Sequence, residues 1–146
     1  MNPLVDAPLR TLDSAVADAM TTGVINCAPH TSLVAVARLM VEHHVHAIYV
    51  FDYGDEDDET TSMWGLVSDL DLVAAARSDF ARLTARDASV TPLVSVESDD
   101  RLDKAARLMA EYGVSHLAVL DPESRRPVGV LSTLDIARTL AQTALD

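Results

Sequence analysis

The chain contains one sequence pattern twice, and this duplication constrains its fold more than any other feature. Residues 18–50 realign with residues 87–119 at a constant offset and without gaps. After a loop that is longer in the first copy, residues 65–71 align with residues 129–135. A unit of this size is too long for a short solenoid repeat and too short for a comfortable independent core. We therefore expect the two copies to fold against each other about a pseudo-twofold axis, with two related sites in the cleft between them.

Length and composition bound the class of protein. At 146 residues the chain has the length of one compact fold, here built of two half-units. A hydrophobic content of 49% is enough for a core of mainly Val, Leu, Ala and Met. No apolar run approaches the roughly 18 residues of a membrane span, and no signal-peptide pattern is visible. The lone Cys27 excludes an intramolecular disulfide. These features predict a cytoplasmic protein with no membrane partner.

The formal net charge of −12 narrows the range of partners. Nucleic-acid binding relies on clustered Lys and Arg, so the charge argues against it. Much of the negative charge lies in the acidic segment 52–59, which lacks the ordered Gly and the terminal Glu of a calcium loop. An anionic ligand would have to be bound by local features rather than by a general positive field.

The order of apolar and capping patterns predicts an α/β (α+β-like) fold. We expect two pseudo-symmetric β-α-β-β-α repeats packed sheet to sheet, with an N-terminal leader at 1–13, a first repeat at 14–78 and a second at 79–146. His44 and Gly113 each follow a long helix, at a position that commonly has the left-handed conformation. Gly113 suits this conformation, and His44 must adopt it in the first repeat.

Helix caps and periodicity predict the individual elements. In the first repeat these are a short helix from Asp13-Ser14 to Met20, a strand Val24–Cys27, a helix capped by Thr31 or Ser32 with Leu33, Val36, Ala37, Met40 and Val41 on one stripe, strands Val45–Phe51 and Trp64–Val67, and a helix Asp69–Arg77. In the second they are a short helix from Thr84 to Ala88, a strand Leu93–Val96, a helix capped by Asp99 or Asp100, strands Val114–Leu120 and Val128–Leu131, and a helix Thr133–Ala144.

Each copy contains the motif Gly-x-x-Ser-x-x-Asp where a strand turns into a helix, at Gly65/Ser68/Asp71 and again in residues 129–135. One interpretation is plain helix capping, since Ser and an acid three residues later form a capping box. The other is a nucleotide site. Free N–H groups at a helix N-terminus favour phosphate, and the Asp can accept from ribose hydroxyls.

The duplicated order of elements and the two Ser-x-x-Asp turns resemble a tandem cystathionine-β-synthase (CBS) domain pair, or Bateman module, here without an attached catalytic domain. The resemblance covers residues 14–141. It implies a regulatory module that binds adenosyl ligands such as AMP, ADP, ATP or S-adenosylmethionine. It also implies homodimerisation into a flat disc.

The resemblance further implies two ligand sites, each with its Asp from one copy and its base-contacting segments from the other. The first would comprise Val130, Ser132, Thr133 and Asp135 with Met20, Thr22, Ile25, Val45, His46 and Ala47. The second would comprise Leu66, Ser68 and Asp71 with Ser89, Thr91, Val94, Val114, Ser115 and His116.

The His-rich stretch 43–46 invites a metal hypothesis, because His44 and His46 would share one face of a strand. A solvated helix end plus one histidine facing the ligand is the simpler interpretation, since no partnering Cys or second His cluster is evident. We therefore predict no metal site. Neither Ser68 nor Ser132 lies in a nucleophile elbow, so no catalytic residue is predicted.

These observations predict a non-enzymatic regulatory module that binds an adenosyl ligand between the two repeats, needs no cofactor and acts on an unidentified effector protein. The alternative is a ligand-free dimerisation or interaction platform, whose Ser and Asp are only helix caps. For the homodimer, the predicted apolar faces comprise Leu33, Val36 and Met40 in one copy and Leu102, Ala106 and Met109 in the other.

Overall fold

The computed structural model describes residues 12–53, 61–89 and 93–142. The remaining residues, which include Thr91, most of the leader and most of the acidic segment, lie outside this description. The chain divides into two compact units. The first-repeat unit runs from Val24 to Leu93, and the second-repeat unit combines the chain up to Gly23 with the chain from Val94 onward. The segment that precedes the first repeat's strands thus belongs to the unit of the second repeat.

In the described residues, the first-repeat unit contains a three-stranded sheet and three helices. Its elements are β2 (Asn26–Cys27), α1 (Leu33–His43), β3 (Ala47–Tyr53), β4 (Thr61–Ser68), α2 (Asp69–Ala75), a 3-10 turn (Phe80–Arg82) and α3 (Ala85–Ala88). The strand order is β2-β3-β4, with β2 parallel and β4 antiparallel to β3. This register places Ala47 opposite Ser68, so the start of β3 lies beside the end of β4 where α2 begins.

The second-repeat unit contains a four-stranded sheet. Its elements are a 3-10 turn (Val16–Asp18), β1 (Thr21–Thr22), β5 (Ser95–Glu97), α4 (Leu102–Tyr112), β6 (His116–Leu120), β7 (Pro127–Ser132) and α5 (Thr133–Ala141). The order is β1-β7-β6-β5, with β5 parallel to β6 and the other pairs antiparallel. His116 lies opposite Ser132, which repeats the pairing of Ala47 with Ser68.

The N-terminal segment differs from its prediction. A 3-10 turn and strand β1 replace the expected helix to Met20, and Ala15 precedes the turn with no side-chain cap. The reason is tertiary bonding: the N–H of Val16 donates to Asp100 O at 2.8 Å and that of Ala17 to Ser98 O at 2.9 Å. Gly129 permits the pairing of β1 with β7, since a Cβ at this position would lie 2.4 Å from Thr21 O.

Each long helix covers its sheet with one apolar stripe. In the first-repeat unit Leu33, Val36 and Met40 of α1 pack in a core with Ile48, Val50 and Val67. In the second-repeat unit Leu102, Ala105 and Met109 of α4 pack with Leu117, Val119 and Leu131. Val41, predicted on the α1 stripe, is instead 74% exposed. The predicted dimer face is also wrong, because Leu33, Val36, Met40, Leu102 and Met109 are buried within their own units.

Most predicted helix starts are confirmed by explicit caps, whereas the helix predicted at Asp69–Arg77 ends at Ala75. Ser32 Oγ accepts the Ala35 N–H at 3.2 Å, and Thr84 forms a capping box with Asp87. The predicted cap of α4 is wrong: Arg101 is its N-cap residue, without a side-chain cap. Asp100 instead uses its carboxylate to accept the Glu97 N–H at 2.8 Å. Within the described ranges, no helix has both the length and the apolar character that crossing a membrane requires.

Candidate ligand-binding site

The Ser-x-x-Asp turn of the second-repeat unit joins β7 to α5 through a complete capping box. Ser132 Oγ accepts the Asp135 N–H at 3.1 Å, and Asp135 Oδ2 accepts the Ser132 N–H at 2.8 Å. The Asp135 residue is only 5% exposed. Its other oxygen, Oδ1, accepts a long hydrogen bond of 3.4 Å from Arg138 Nη1. The carboxylate is thus fixed by one oxygen, while the second faces a cation.

The turn of the first-repeat unit has the same geometry at the start of α2. Asp71 Oδ2 accepts from the Ser68 N–H at 2.8 Å and from Ser68 Oγ at 3.0 Å. Among the described residues, nothing donates a hydrogen bond to Asp71 Oδ1. Ala74 occupies the position equivalent to Arg138, so this carboxylate lacks the neighbouring cation. Asp71 Oδ1 is therefore open to a sugar hydroxyl, whereas Asp135 Oδ1 would accept from such a hydroxyl and from Arg138 together.

The backbone at both helix starts is anchored to the neighbouring strand in the same way. The first N–H of α2, at Asp69, donates to His46 O, and the first N–H of α5, at Thr133, donates to Ser115 O, both at 2.9 Å. The second N–H differs: that of Leu70 donates to Asp69 Oδ1 at 2.9 Å. No acceptor for the Leu134 N–H is found in the described part of the chain. The α5 start therefore retains a donor that the α2 start has already used.

The other predicted site residues divide between the two units. The second-repeat unit contains Met20, Thr22, Val94, Val114, Ser115, His116 and Val130. The first-repeat unit contains Ile25, Val45, His46, Ala47, Leu66 and Ser89. The register of β1 on β7 brings Thr22 opposite Gly129, next to Val130. Ser115 Oγ lies 2.8 Å from His116 Nδ1. Thr91 lies outside the described residues.

A groove runs between the two main helices of each unit. The groove of the first-repeat unit measures about 590 Å³ and is lined by Ala37, Met40, Val41, His44, Val45, His46, Asp69, Leu72 and Val73. The groove of the second-repeat unit measures about 260 Å³ and is lined by Ala106, Met109, Ala110, Val114, Thr133 and Ile136. All six of the latter align with lining residues of the larger groove. The two grooves are therefore repeats of one feature, but only the first has ionisable groups in its lining.

The histidines of this groove do not form the pair on one strand face that a metal hypothesis required, whereas His44 has the left-handed position expected after the long helix. His44 ends α1 with a left-handed backbone (φ 54°), and His46 precedes β3, so they do not share the face of a strand. His46 Nδ1 instead lies 3.0 Å from Asp69 Oδ2. Sequence reasoning did not single out Asp69 as a partner of His46. The signal was present in the repeat alignment, where position 69 is acidic in one copy only.

Two further groups are accounted for by local structure. Burial raises the pKa of the Cys27 thiol, an effect that a hydrogen bond with Thr31 partly offsets, and a neutral buried thiol is a poor nucleophile. The described residues also include an acidic cluster of Glu97, Asp99 and Asp100. Lys104 pairs with Asp100 and Arg125 with Glu97, so nearby cations already neutralise part of it.

With the two β-α-β-β-α halves and their matching turns described, comparison with known proteins identifies the class. The family model of the CBS domain matches residues 16–78 and again residues 85–142. The chain therefore belongs to the CBS domain family, as a tandem CBS domain pair.

Two curated relatives match most of the chain. It is 29% identical over 126 residues to the CBS domain-containing protein YhcV of Bacillus subtilis. The aligned region covers 85% of this chain and 84% of that protein. It is 29% identical over 131 residues to Hypoxic response protein 1 of Mycobacterium tuberculosis, covering 88% of this chain and 86% of that protein.

Solved structures share the fold. The CBS domain pair of protein MJ0100, in complex with 5′-methylthioadenosine and S-adenosyl-L-methionine, has a TM-score of 0.75 at 20% identity, covering 90% of this chain and 98% of that one. CBSX2 in complex with AMP has a TM-score of 0.63 at 28% identity, covering 88% and 96%. Hypoxic Response Protein I with two coordinated zinc ions has a TM-score of 0.62 at 28% identity, covering 86% and 98%.

Proposed function

We propose that this CBS pair is a non-enzymatic regulatory module that binds an adenosyl ligand through its two Ser-x-x-Asp turns. The observation that carries the proposal is that both repeats form the same turn. In each turn the Asp carboxylate is held in place through one of its two oxygens. Asp71 Oδ2 and Asp135 Oδ2 each accept the N–H of their Ser at 2.8 Å. Asp71 Oδ1 accepts no hydrogen bond among the described residues, and Asp135 Oδ1 accepts only a long one from Arg138. Each of these oxygens would accept from the hydroxyls of a ribose, as acidic residues do in other nucleotide sites.

The phosphate of a nucleotide fits the α5 start better than the α2 start. A helix N-terminus attracts an anion through its unbonded N–H groups and its partial positive charge. At the start of α5 the Leu134 N–H has no acceptor among the described residues, and Arg138 lies one turn further along. These features favour a phosphorylated adenosyl ligand of the AMP, ADP or ATP class at Asp135, with S-adenosylmethionine as a candidate that carries no phosphate.

The related structure of CBSX2 with AMP supports the choice of AMP as the first ligand to test. Binding would favour whichever conformation of the module has the higher affinity for the ligand, and an effector protein would respond to that shift in population. This mechanism requires no reaction and no cofactor.

The test is thermal unfolding with AMP, ADP, ATP and S-adenosylmethionine in turn. A ligand present at about 100 times its dissociation constant stabilises the folded chain by about 2.7 kcal/mol. Asp135→Ala and Asp71→Ala should each reduce the ligand-induced shift, and the double variant should abolish it. Asp87→Ala is the matched control, because Asp87 Oδ2 accepts the Thr84 N–H at the same 2.8 Å in an ordinary capping box. It should lower stability without changing the shift.

The second candidate function is an interaction platform that binds no ligand. It is favoured by the completeness of the caps and by exposed apolar residues in the larger groove, Val41 at 74% and Val73 at 67%. In this function the groove would pair with that of a second copy to form a homodimer. No shift with any adenosyl ligand, together with a dimer by light scattering that Val41→Ser plus Val73→Ser converts to a monomer, would support the platform and overturn ligand binding.

A further inference from the structure

The lining of the larger groove includes three residues of the types that bind zinc, two of them already in contact. His46 Nδ1 lies 3.0 Å from Asp69 Oδ2, and His44 lines the same groove. Zinc binds imidazole nitrogen and carboxylate oxygen at about 2.0–2.2 Å in a tetrahedron, so adjacent ligand atoms are separated by about 3.3 Å. The His46–Asp69 pair is therefore already close to the spacing that one metal ion requires.

The second repeat gives an internal comparison for these three residues. The positions of His44, His46 and Asp69 are occupied there by Gly113, Ser115 and Thr133. No imidazole or carboxylate occurs at any of the three equivalent positions. The rest of the groove is apolar in both repeats, with Met40 matched by Met109 and Val45 by Val114. All three ligand-type residues thus occur together in one repeat and are absent together from the other.

The backbone of His44 adds an energetic argument. His44 has φ of 54°, and Gly113 has φ of 61° at the equivalent position. A left-handed backbone is unfavourable for a residue with a Cβ, and Gly avoids most of that cost. Strained conformations of this kind concentrate at functional sites. A role for the imidazole explains why the first repeat has histidine where glycine would be more stable.

We propose that His44, His46 and Asp69 form a zinc site in the groove between α1 and α2. The ion lies between His46 Nδ1 and Asp69 Oδ2 in place of their direct contact. His44 supplies the third protein ligand, and water occupies the fourth position. His44 must turn its side chain to reach the ion, because the three ligand atoms do not all lie within 4.8 Å of one another in the described structure. The side chains of His46 and Asp69 are 71% and 52% exposed, so the ion has an open path. The proposal does not depend on nucleotide binding.

The experiment is a zinc titration of the metal-free full chain against a chromophoric chelator. Each test variant introduces the residue of the other repeat: His44→Gly, His46→Ser and Asp69→Thr. We expect one zinc ion per chain in the parent protein. Each variant removes a direct ligand, so its loss of affinity should exceed the roughly 10- to 100-fold that follows loss of a residue that only orients a ligand. His43→Ala is the matched control, since His43 is an exposed neighbour that does not line the groove, and it should bind zinc like the parent.

A substitution of cobalt for zinc gives an independent readout, because the visible spectrum of Co²⁺ reports a tetrahedral site with nitrogen and oxygen ligands. His44→Gly also separates ligation from folding, since glycine suits the left-handed position and the variant should be at least as stable as the parent. Absence of zinc binding in the parent would overturn the proposal. The proposal would also be overturned if the parent and a variant with all three substitutions bound zinc with equal affinity. The same holds if His43→Ala lost as much zinc affinity as the three test variants.

Discussion

His44 and Gly113 occupy the same position in the two repeats and adopt the same left-handed backbone, with φ of 54° and 61°. Each ends the long helix of its unit, and the N–H of each donates to the carbonyl of a methionine one turn back, Met40 O or Met109 O. The backbone geometry is thus retained in both repeats, although the residue best suited to it occurs in only one. Exchanging the two residues therefore tests what the histidine costs in stability.

We expect His44→Gly to increase the free energy of unfolding by about 1 kcal/mol, because glycine has no Cβ to oppose the left-handed conformation. Urea denaturation monitored by circular dichroism measures the change. The reciprocal variant Gly113→His should lower the free energy by about 1–2 kcal/mol. Apart from its chain neighbours, no atom of the described residues lies within 4 Å of a Cβ at Gly113, so that loss would report backbone strain rather than a clash of the Cβ. A lower stability for His44→Gly would show that contacts of the imidazole outweigh the strain.

Gly129 should tolerate substitution poorly for a different reason. A Cβ at Gly129 would lie 2.4 Å from Thr21 O and 3.2 Å from Met20 Sδ, and overpacking of this kind typically costs about 1–3 kcal/mol. We expect Gly129→Ala to separate β1 from β7 and to lower the free energy of unfolding by that amount. Hydrogen exchange should show loss of protection at Gly23, whose N–H donates to Val128 O at 3.1 Å. Unchanged protection and stability would contradict this account.

The sequence predicted what local chemistry determines. Ser32, Ser68, Thr84 and Ser132 each begin a helix in the structure, as their capping patterns indicated. Capping depends on residues within one turn of each other, so the necessary information lies in a short window. The buried stripes of the long helices were also largely predictable, because helical periodicity selects Leu33, Val36 and Met40.

Features set by distant partners were not predictable in the same way. Strand β1 exists because Thr21 and Thr22 pair with β7, more than 100 residues away in the chain. The Asp100 carboxylate accepts the Glu97 N–H and so does not cap α4. The proximity of Asp69 to His46 likewise depends on the pairing of β3 with β4. In the first two cases a tertiary contact replaces the helix or cap that the local sequence favours, and in the third it joins residues that no short window of sequence contains.

Cys27 should make stability fall at alkaline pH. Burial raises the pKa of its thiol above the ordinary value, so the unfolded chain releases the proton more readily than the folded chain. Stability from this group is fully present below the ordinary thiol pKa of about 8.5 and is lost as pH rises through that value toward the folded pKa. Urea denaturation at about pH 7 and pH 9.5 should show a larger decrease in the free energy of unfolding for the parent than for Cys27→Ala.

Labelling of Cys27 by iodoacetamide at about pH 8 should be slow until urea unfolds the chain. Rapid labelling of the native protein would contradict burial of the thiol.

Arg138 should control the preference for a phosphorylated ligand. Arg138 Nη1 donates to Asp135 Oδ1 at 3.4 Å, and the guanidinium is largely exposed beside the α5 start. If the proposed ribose role of Asp135 is correct, Arg138→Ala frees this oxygen for adenosine and removes a cation near the phosphate of AMP. We expect the ratio of AMP affinity to adenosine affinity to fall about fivefold, the equivalent of ~1 kcal/mol. Calorimetry with both ligands measures the ratio in each protein.

Ala74→Arg introduces the same cation beside Asp71 and should raise the ratio of AMP affinity to adenosine affinity in the first-repeat unit. A ratio that neither variant changes would show that Arg138 does not contact the ligand, whereas loss of adenosine binding in Arg138→Ala would show that the ion pair positions Asp135.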